Sequence, residues 1–199
     1  MLWLWMLACN PVENPLPCES EGQDRITLPA DDAVHEEDTE WWTWSGHLSD
    51  ENGSWYGFQL GFFLFGTGQT RSVRANAAVT DIDGQAFHHD SGQDSQEPTL
   101  TDNGFDFALG SVTALGGDGL DSLSLEAGPT TLDLDLESLK PPVFHHGDGY
   151  LEPSAGGYAY HYSRTRMSTT GTLRTSNGSQ TVSGHAWFDH QWGDLQPLA

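Results

Sequence analysis

Alternation of apolar and polar residues with a period of two is the pattern that most constrains the fold of this chain. From Leu132 to Glu137, leucine alternates with an acidic residue, and from Phe58 to Leu64 every second residue is large and apolar. Asn-Gly pairs at 52–53 and 177–178 supply the positive φ angles of hairpin turns. No helical periodicity extends beyond a few residues. The pattern therefore predicts an all-β protein of about eight to ten antiparallel strands, arranged as a barrel or sandwich.

The charge composition limits the classes of molecule that the domain can bind. The 199 residues include 29 acidic and 7 basic ones, which gives a formal net charge of -22. Such a surface repels phosphates and offers no basic patch, so nucleic acid is excluded as a partner. The length fits one domain with a sizeable core, which we place at residues 26–199.

The first nine residues are apolar and end in Met6-Leu-Ala-Cys9, a pattern typical of a bacterial lipobox. We therefore expect an acyl anchor to the membrane at Cys9, with residues 1–25 forming a leader and flexible tether. This predicts an exported, membrane-anchored lipoprotein of the bacterial cell envelope, with a secreted or periplasmic soluble protein as the alternative. A disulfide between Cys9 and Cys18 is a further alternative.

Two blocks concentrate the aromatic residues, Glu40–His47 and His185–Gly193. We expect these blocks to meet in the folded protein and to line one pocket for an apolar small molecule or lipid. An alternative is that the tryptophans only fill the barrel core. The predicted ligand-binding residues are Trp42, Trp44, His47, Tyr160, Tyr162, His185 and Trp192.

The second block also carries the candidate catalytic residues. Strand alternation places Trp187 and Asp189 on one face and His190 on the other. Asp189 has two interpretations, a carboxylic acid kept protonated by surrounding rings or a structural anchor paired with Arg164 or Arg166. Neither a metal nor a cofactor is predicted, because none of the histidine clusters has the spacing of a zinc site.

Three blocks together resemble the AttH and carotenoid 1,2-hydratase family of lipocalin-like proteins. They are Glu40–Leu48, Tyr162–Arg166 and Trp187–Gly193, in this order. The resemblance covers residues 26 to 193 and implies an antiparallel calycin-type β-barrel with an internal apolar pocket. Members of this family usually carry two such barrels, so a second lipocalin-like barrel is a further expected partner.

The resemblance also implies a chemistry, the addition of water to a terminal carbon–carbon double bond with Asp189 as the acid. Trp187 stands where the family has a tyrosine, and the strand with His161 lacks the family's His-x-Trp pair. In this hypothesis Trp187 stabilises a carbocation, and His190 or His161 orients the attacking water. The sequence thus leaves three hypotheses, namely binding of an apolar ligand, a hydratase-type lyase, and a structural subunit that pairs with a second barrel.

Overall fold

The structure is a computed structural model that describes residues 25–68, 71–94, 100–152 and 156–195. The predicted acylation site, the tether and both cysteines lie outside these residues. Besides a single 3-10 turn at Ala30–Asp32, the described elements are strands. Their bounds are β1 Thr39–Asp50, β2 Trp55–Phe65, β3 Ser72–Asp81, β4 Ala86–Asp94, β5 Phe105–Leu109, β6 Val112–Gly117, β7 Leu120–Ala127, β8 Thr130–Ser138, β9 Val143–Phe144, β10 Tyr150–Leu151, β11 Ala159–Thr175 and β12 Gly178–Gly193.

Ten of the strands form one continuous antiparallel sheet in the order β4-β3-β2-β1-β12-β11-β8-β7-β6-β5. The short strands β9 and β10 pair with β11 outside this path. The two end strands, β4 and β5, contact each other, so the sheet curls into a nearly closed barrel. The predicted all-β antiparallel barrel is therefore confirmed.

Aromatic side chains pack together in the barrel interior. Trp42 and Trp44 are fully buried and pack against rings of β5, with centroid distances of 4.7 Å to Phe107 and 5.4 Å to Phe105. Such edge-to-face pairs are favourable beyond the area that they bury. The alternation within β1 and β5 thus produces a packed core, as in other small barrels.

The segment before β1 closes one end of the barrel. Ile26 and Asp32 are buried, at 3% and 0% exposure, and the indole of Trp42 donates a hydrogen bond to the Asp32 carbonyl oxygen. Because this segment inserts into the barrel, the carboxylate of Asp32 becomes an interior group. Among the described residues, no helix is long and apolar enough to cross a membrane.

Two local features affect the length and register of the strands. The polar residues His89 to Asp94 continue β4 and pair with β3, because backbone pairing at a solvent-exposed edge needs no apolar face. A β-bulge between Arg164 and Met167 interrupts the register of the long strand β11 with β12. The bulge matters for the site, since it shifts which side chains of β11 point outward.

Candidate functional site

Asp189 lies on the outer face of β12, where polar side chains of β11 surround its carboxylate. Ser163 sits directly opposite on β11 and donates its hydroxyl hydrogen to Asp189 Oδ1 at 2.5 Å. His161 Nε2 lies 3.4 Å from the same oxygen. Ser163 is fully buried, whereas the side chains of His161 and Asp189 remain 26% and 30% exposed. The carboxylate of Asp189 is therefore held by a buried hydroxyl group on one side and remains accessible to solvent on the other.

A tight loop after β9 brings His145 into the same group. His145 Nε2 lies 2.7 Å from Ser163 Oγ. The backbone N–H of His145 donates to the carbonyl oxygen of His161, and the N–H of His161 donates to the carbonyl oxygen of Gly149. The loop turns through two left-handed residues, His146 with φ 58° and Gly147 with φ 96°. We call His145, His161, Ser163 and Asp189 the outer acid–base cluster.

Hydrogen bonding sets the charge of this cluster. Partial burial raises the pKa of Asp189, but hydrogen bonds from His161, Ser163 and Trp187 outweigh it, so the pKa lies below its ordinary value. Burial lowers the pKa of His145, and repulsion from His161 lowers it further. The resting cluster thus holds an ionised Asp189. This corrects the expectation of a protonated acid, because donors rather than rings surround the carboxylate.

The outer acid–base cluster supplies two imidazoles and a carboxylate, a ligand set that also occurs in metal sites. The rings of His145 and His161 stack, with centroids 3.7 Å apart and an interplanar angle of 10°. A metal ion bound by an imidazole nitrogen lies close to the plane of that ring. The planes of two stacked rings are nearly parallel, so one ion cannot lie close to both planes. The cluster as arranged therefore favours proton transfer over metal coordination.

A second group of titratable residues occupies the barrel interior. Glu40 Oε1 lies 2.7 Å from His35 Nδ1 and 2.8 Å from His190 Nε2. Burial raises the pKa of Glu40, but hydrogen bonds from both histidines lower it below its ordinary value. Burial lowers the pKa of His190, whereas Glu40 overcomes burial at His35 and raises the pKa there. An anionic Glu40 therefore pairs with a cationic His35 and a neutral His190.

His190 is consequently not available to Asp189. It is fully buried, and its ring stacks on Trp42 with centroids 4.3 Å apart. Adjacent residues of a strand point to opposite faces, so His190 and Asp189 cannot serve one site. The sequence hypothesis that His190 handles the attacking water is wrong for this reason, whereas His161 does reach Asp189.

The predicted ion pairs of Asp189 are also wrong. Arg164 points into the barrel and binds Asp32 with both terminal nitrogens, at 2.8 Å and 3.1 Å. Tyr162 donates its hydroxyl hydrogen to the same carboxylate. Arg166 points outward beyond the bulge, and its Nη2 lies 2.8 Å from Nε2 of His185. Neither arginine contacts Asp189, whose partners are the members of the outer acid–base cluster and Trp187.

The structure separates the residues that the sequence placed in one pocket. Trp42, Trp44, Tyr162 and Trp192 are core residues with at most 3% exposure, and Tyr160 stacks on Trp192 at the core edge. His47 and His185 instead face outward from β1 and β12, with ring centroids 6.3 Å apart. Strand alternation separates the two sets, because they occupy opposite faces of the same sheet.

A concave surface does exist on the outer face. It is a groove of about 490 Å³ across β1, β2, β3 and β4. Its lining includes Ser45, His47, Gly57, Gln59 and Phe87. Ser45 pairs with Trp187 of β12, which is 41% exposed. The groove therefore starts one strand away from Trp187 and the outer acid–base cluster, and its size is within the range of small-molecule sites.

Sequence reasoning missed two members of the cluster, His145 and Ser163. His145 belongs to one of the histidine clusters that lack the spacing of a zinc site, and Ser163 lies in the Tyr162–Arg166 block, where it was given no chemical role. The alternation of His161 and Ser163 on one face of β11 was the available signal. The sequence does not reveal the register of β11 with β12, which places Ser163 opposite Asp189.

A family model described as AttH-like matches residues 19–198, which is most of the chain. The chain belongs to the AttH-like family. The resemblance inferred from the three sequence blocks is thus confirmed at the family level. No curated protein sequence matches the chain.

Two solved structures share the fold of this AttH-like chain. A protein described as AttH from Nitrosomonas europaea is 21% identical with a TM-score of 0.78, over 87% of this chain and 57% of that one. Kievitone hydratase from Nectria haematococca is 16% identical with a TM-score of 0.66, over 78% of this chain and 48% of that one. The chain therefore spans about half the length of these structures. At these identities the likeness establishes the lipocalin-like fold and no more.

Proposed function

We propose that the chain adds water to a carbon–carbon double bond of an apolar, isoprenoid-like substrate, using the outer acid–base cluster. The observation that carries the proposal is the convergence of two imidazoles on the Asp189–Ser163 pair, beside an exposed indole. Acid–base chemistry needs proton donors and acceptors within hydrogen-bond reach of one reacting atom. The resemblance to a protein named kievitone hydratase supports the same reaction class.

Each side chain has a defined part in this reaction. Asp189 and His161 share one exchangeable proton across 3.4 Å and deliver it to the double bond. The exposed face of Trp187 stabilises the carbocation that forms. A water held by the imidazoles then adds to the cation and returns its proton to the cluster. The apolar remainder of the substrate lies in the groove that begins at Ser45.

The outward position of the cluster bears on the predicted partner. Protonation of an alkene works best where water is excluded, and the side chain of Asp189 is 30% exposed. We propose that a second lipocalin-like barrel, in line with the greater length of the solved structures, covers the outer face of β11 and β12. In this proposal the chain is both an enzyme and a subunit that pairs with a second barrel.

Conversion of an acyclic carotenoid tests the proposal. Mass spectrometry should detect a product heavier by one water with the unmodified protein. Asp189→Asn should reduce the rate by about a hundredfold or more, since the amide cannot carry the proton. The matched control is Asp135→Asn, which removes an exposed carboxylate from β8 and should leave the rate unchanged.

The competing function is binding of an apolar ligand without chemistry. Binding inside the barrel is disfavoured because Trp42, Trp44 and Tyr162 are fully buried core residues, so binding would use the outer groove. Quenching of tryptophan fluorescence by the carotenoid, with no hydrated product, would identify a binding protein and reject the hydratase. Equal rates for the two aspartate variants would likewise reject Asp189 as a catalytic residue.

A further inference from the structure

The hydrogens of the outer acid–base cluster have one consistent arrangement when Asp189 is ionised. A carboxylate only accepts hydrogen bonds, so the single hydrogen of Ser163 points to Asp189 Oδ1. Ser163 Oγ can then only accept from His145, whose Nε2 lies 2.7 Å away. His145 is therefore protonated at Nε2 and has a free lone pair at Nδ1. The hydrogen bonds run in one direction, from His145 through Ser163 to Asp189.

We propose that His145 and Ser163 relay protons between solvent and Asp189, an inference that rests on the proposed hydration. A proton from water binds His145 Nδ1 and makes the ring cationic. The Nε2–H bond then breaks as its proton passes to Ser163 Oγ, and the original Ser163 hydroxyl proton passes to Asp189 Oδ1. The products are a neutral His145 protonated at Nδ1, an unchanged serine and a carboxylic acid at residue 189. This step supplies the acid that the resting carboxylate lacks.

Placement of the two residues supports a relay over a purely structural contact. Ser163 is fully buried, so its hydroxyl reaches neither solvent nor substrate and can only connect its neighbours. His145 is partly exposed and can exchange protons with water. The charged or titratable groups around His145 are His161, Asp189 and His146. The backbone N–H of His145 donates a hydrogen bond to the carbonyl oxygen of His161. This bond fixes the position of His145 and so the distance over which the relay passes a proton.

Nuclear magnetic resonance tests the relay without any substrate. In protein with 15N-labelled histidine, long-range 1H–15N spectra should show His145 protonated at Nε2 and bare at Nδ1 at neutral pH. Ser163→Ala should abolish this preference and raise the pH at which the Asp189 carboxyl signal titrates, because a donor to the carboxylate is lost. The control Ser183→Ala removes an exposed hydroxyl from β12 and should match the unmodified protein. If Ser163→Ala also matches it, the relay is refuted.

Substitution of His145 by glutamine separates proton transfer from hydrogen bonding. The glutamine amide can still donate a hydrogen bond to Ser163 Oγ, but it cannot carry a proton. His145→Gln should therefore leave the Asp189 titration unchanged and lower the kcat for carotenoid hydration by about a hundredfold with little change in KM. An unchanged kcat in an active enzyme would refute the relay. If the unmodified protein hydrates nothing, the proposed function fails and the resonance measurement alone decides the relay.

Discussion

Asp121 of β7 offers the sharpest test of the interior electrostatics. Its side chain is buried at 5% exposure, and its two oxygens accept hydrogen bonds from the indole of Trp44 at 2.9 Å and from the N–H of Gly117 at 3.3 Å. Burial raises the pKa of Asp121 from 3.8 to about 6, although the bond from Trp44 and the charge of Arg164 oppose the change. The ionised form is thus less stable in the folded protein than in the unfolded chain.

The sign and size of the stability effect follow from this difference. A group whose pKa is raised by folding contributes its stability fully below its unfolded pKa, and that contribution is lost as the pH rises through the folded pKa. A rise from 3.8 to about 6 corresponds to about 3 kcal/mol at about 1.4 kcal/mol per pKa unit. Asparagine is uncharged like the protonated acid, but its side chain has one acceptor oxygen and two N–H donors, so it can accept from only one of the two donors that face Asp121. The loss of that acceptor does not vary with pH, so the stability of Asp121→Asn relative to the original protein should rise by about 3 kcal/mol between pH 4 and pH 8.

Urea denaturation of both proteins at several pH values measures this difference. Other buried titrating groups, such as Glu40 and His190, are present in both proteins and cancel to a first approximation. Asp106→Asn, at an exposed position of β5, is the control and should give a difference that does not vary with pH. A gap between Asp121→Asn and the original protein that is equal at pH 4 and pH 8 would refute the assignment of Asp121 as a buried, destabilised charge.

Three further predictions test the ion pair, the packing and the N-terminus. Arg164→Met should lower the free energy of unfolding by about 3–5 kcal/mol, because it leaves a buried carboxylate unpaired. The control Arg166→Met, on the outer face, should change the free energy of unfolding by about 0.5 kcal/mol or less. Comparable losses for the two variants in urea titrations would contradict this prediction. Gly184→Ala should destabilise the protein, since the new Cβ would overlap the carbonyl oxygen of His47 on β1. Gly57→Ala should be tolerated, because its new Cβ would lie 3.7 Å from the nearest atom, Cβ of Thr80. Thermal unfolding of the two variants tests this difference. We also expect mass spectrometry of native protein to find an acyl group on Cys9, and an unmodified cysteine there would exclude the proposed lipoprotein.

Strand periodicity accounted for most of the fold. The alternation from Leu132 to Glu137 became β8 with every leucine buried, and the Asn-Gly pair at 177–178 became the turn between β11 and β12. Such signals are local, since backbone pleating alone fixes which residues share a face. The predicted opposition of Asp189 and His190 was confirmed for the same reason.

Contacts between distant residues could not be predicted in this way. Asp32 and Arg164 are 132 positions apart, and Glu40 and His190 are 150 apart. Only the insertion of the segment before β1 into the barrel end brings His35 to Glu40 and Asp32 to Arg164. Residues of this kind carry no periodic signal, because their burial depends on the tertiary closure of the barrel rather than on their own strand.

The separation of two polar systems by one sheet explains how the barrel can hold both a rigid core and the proposed reactive site. The charge of Glu40 is compensated by His35, and the charge of Asp32 by Arg164, on the inner face, where burial makes any loss of a partner costly. Asp189 and His161, on the outer face, keep solvent contact and can change protonation at little cost to the fold. Strand β12 contributes to both systems through adjacent residues, Asp189 and His190. A substitution at His190 should therefore affect stability, whereas one at Asp189 should affect proton transfer, even though a single peptide bond joins them.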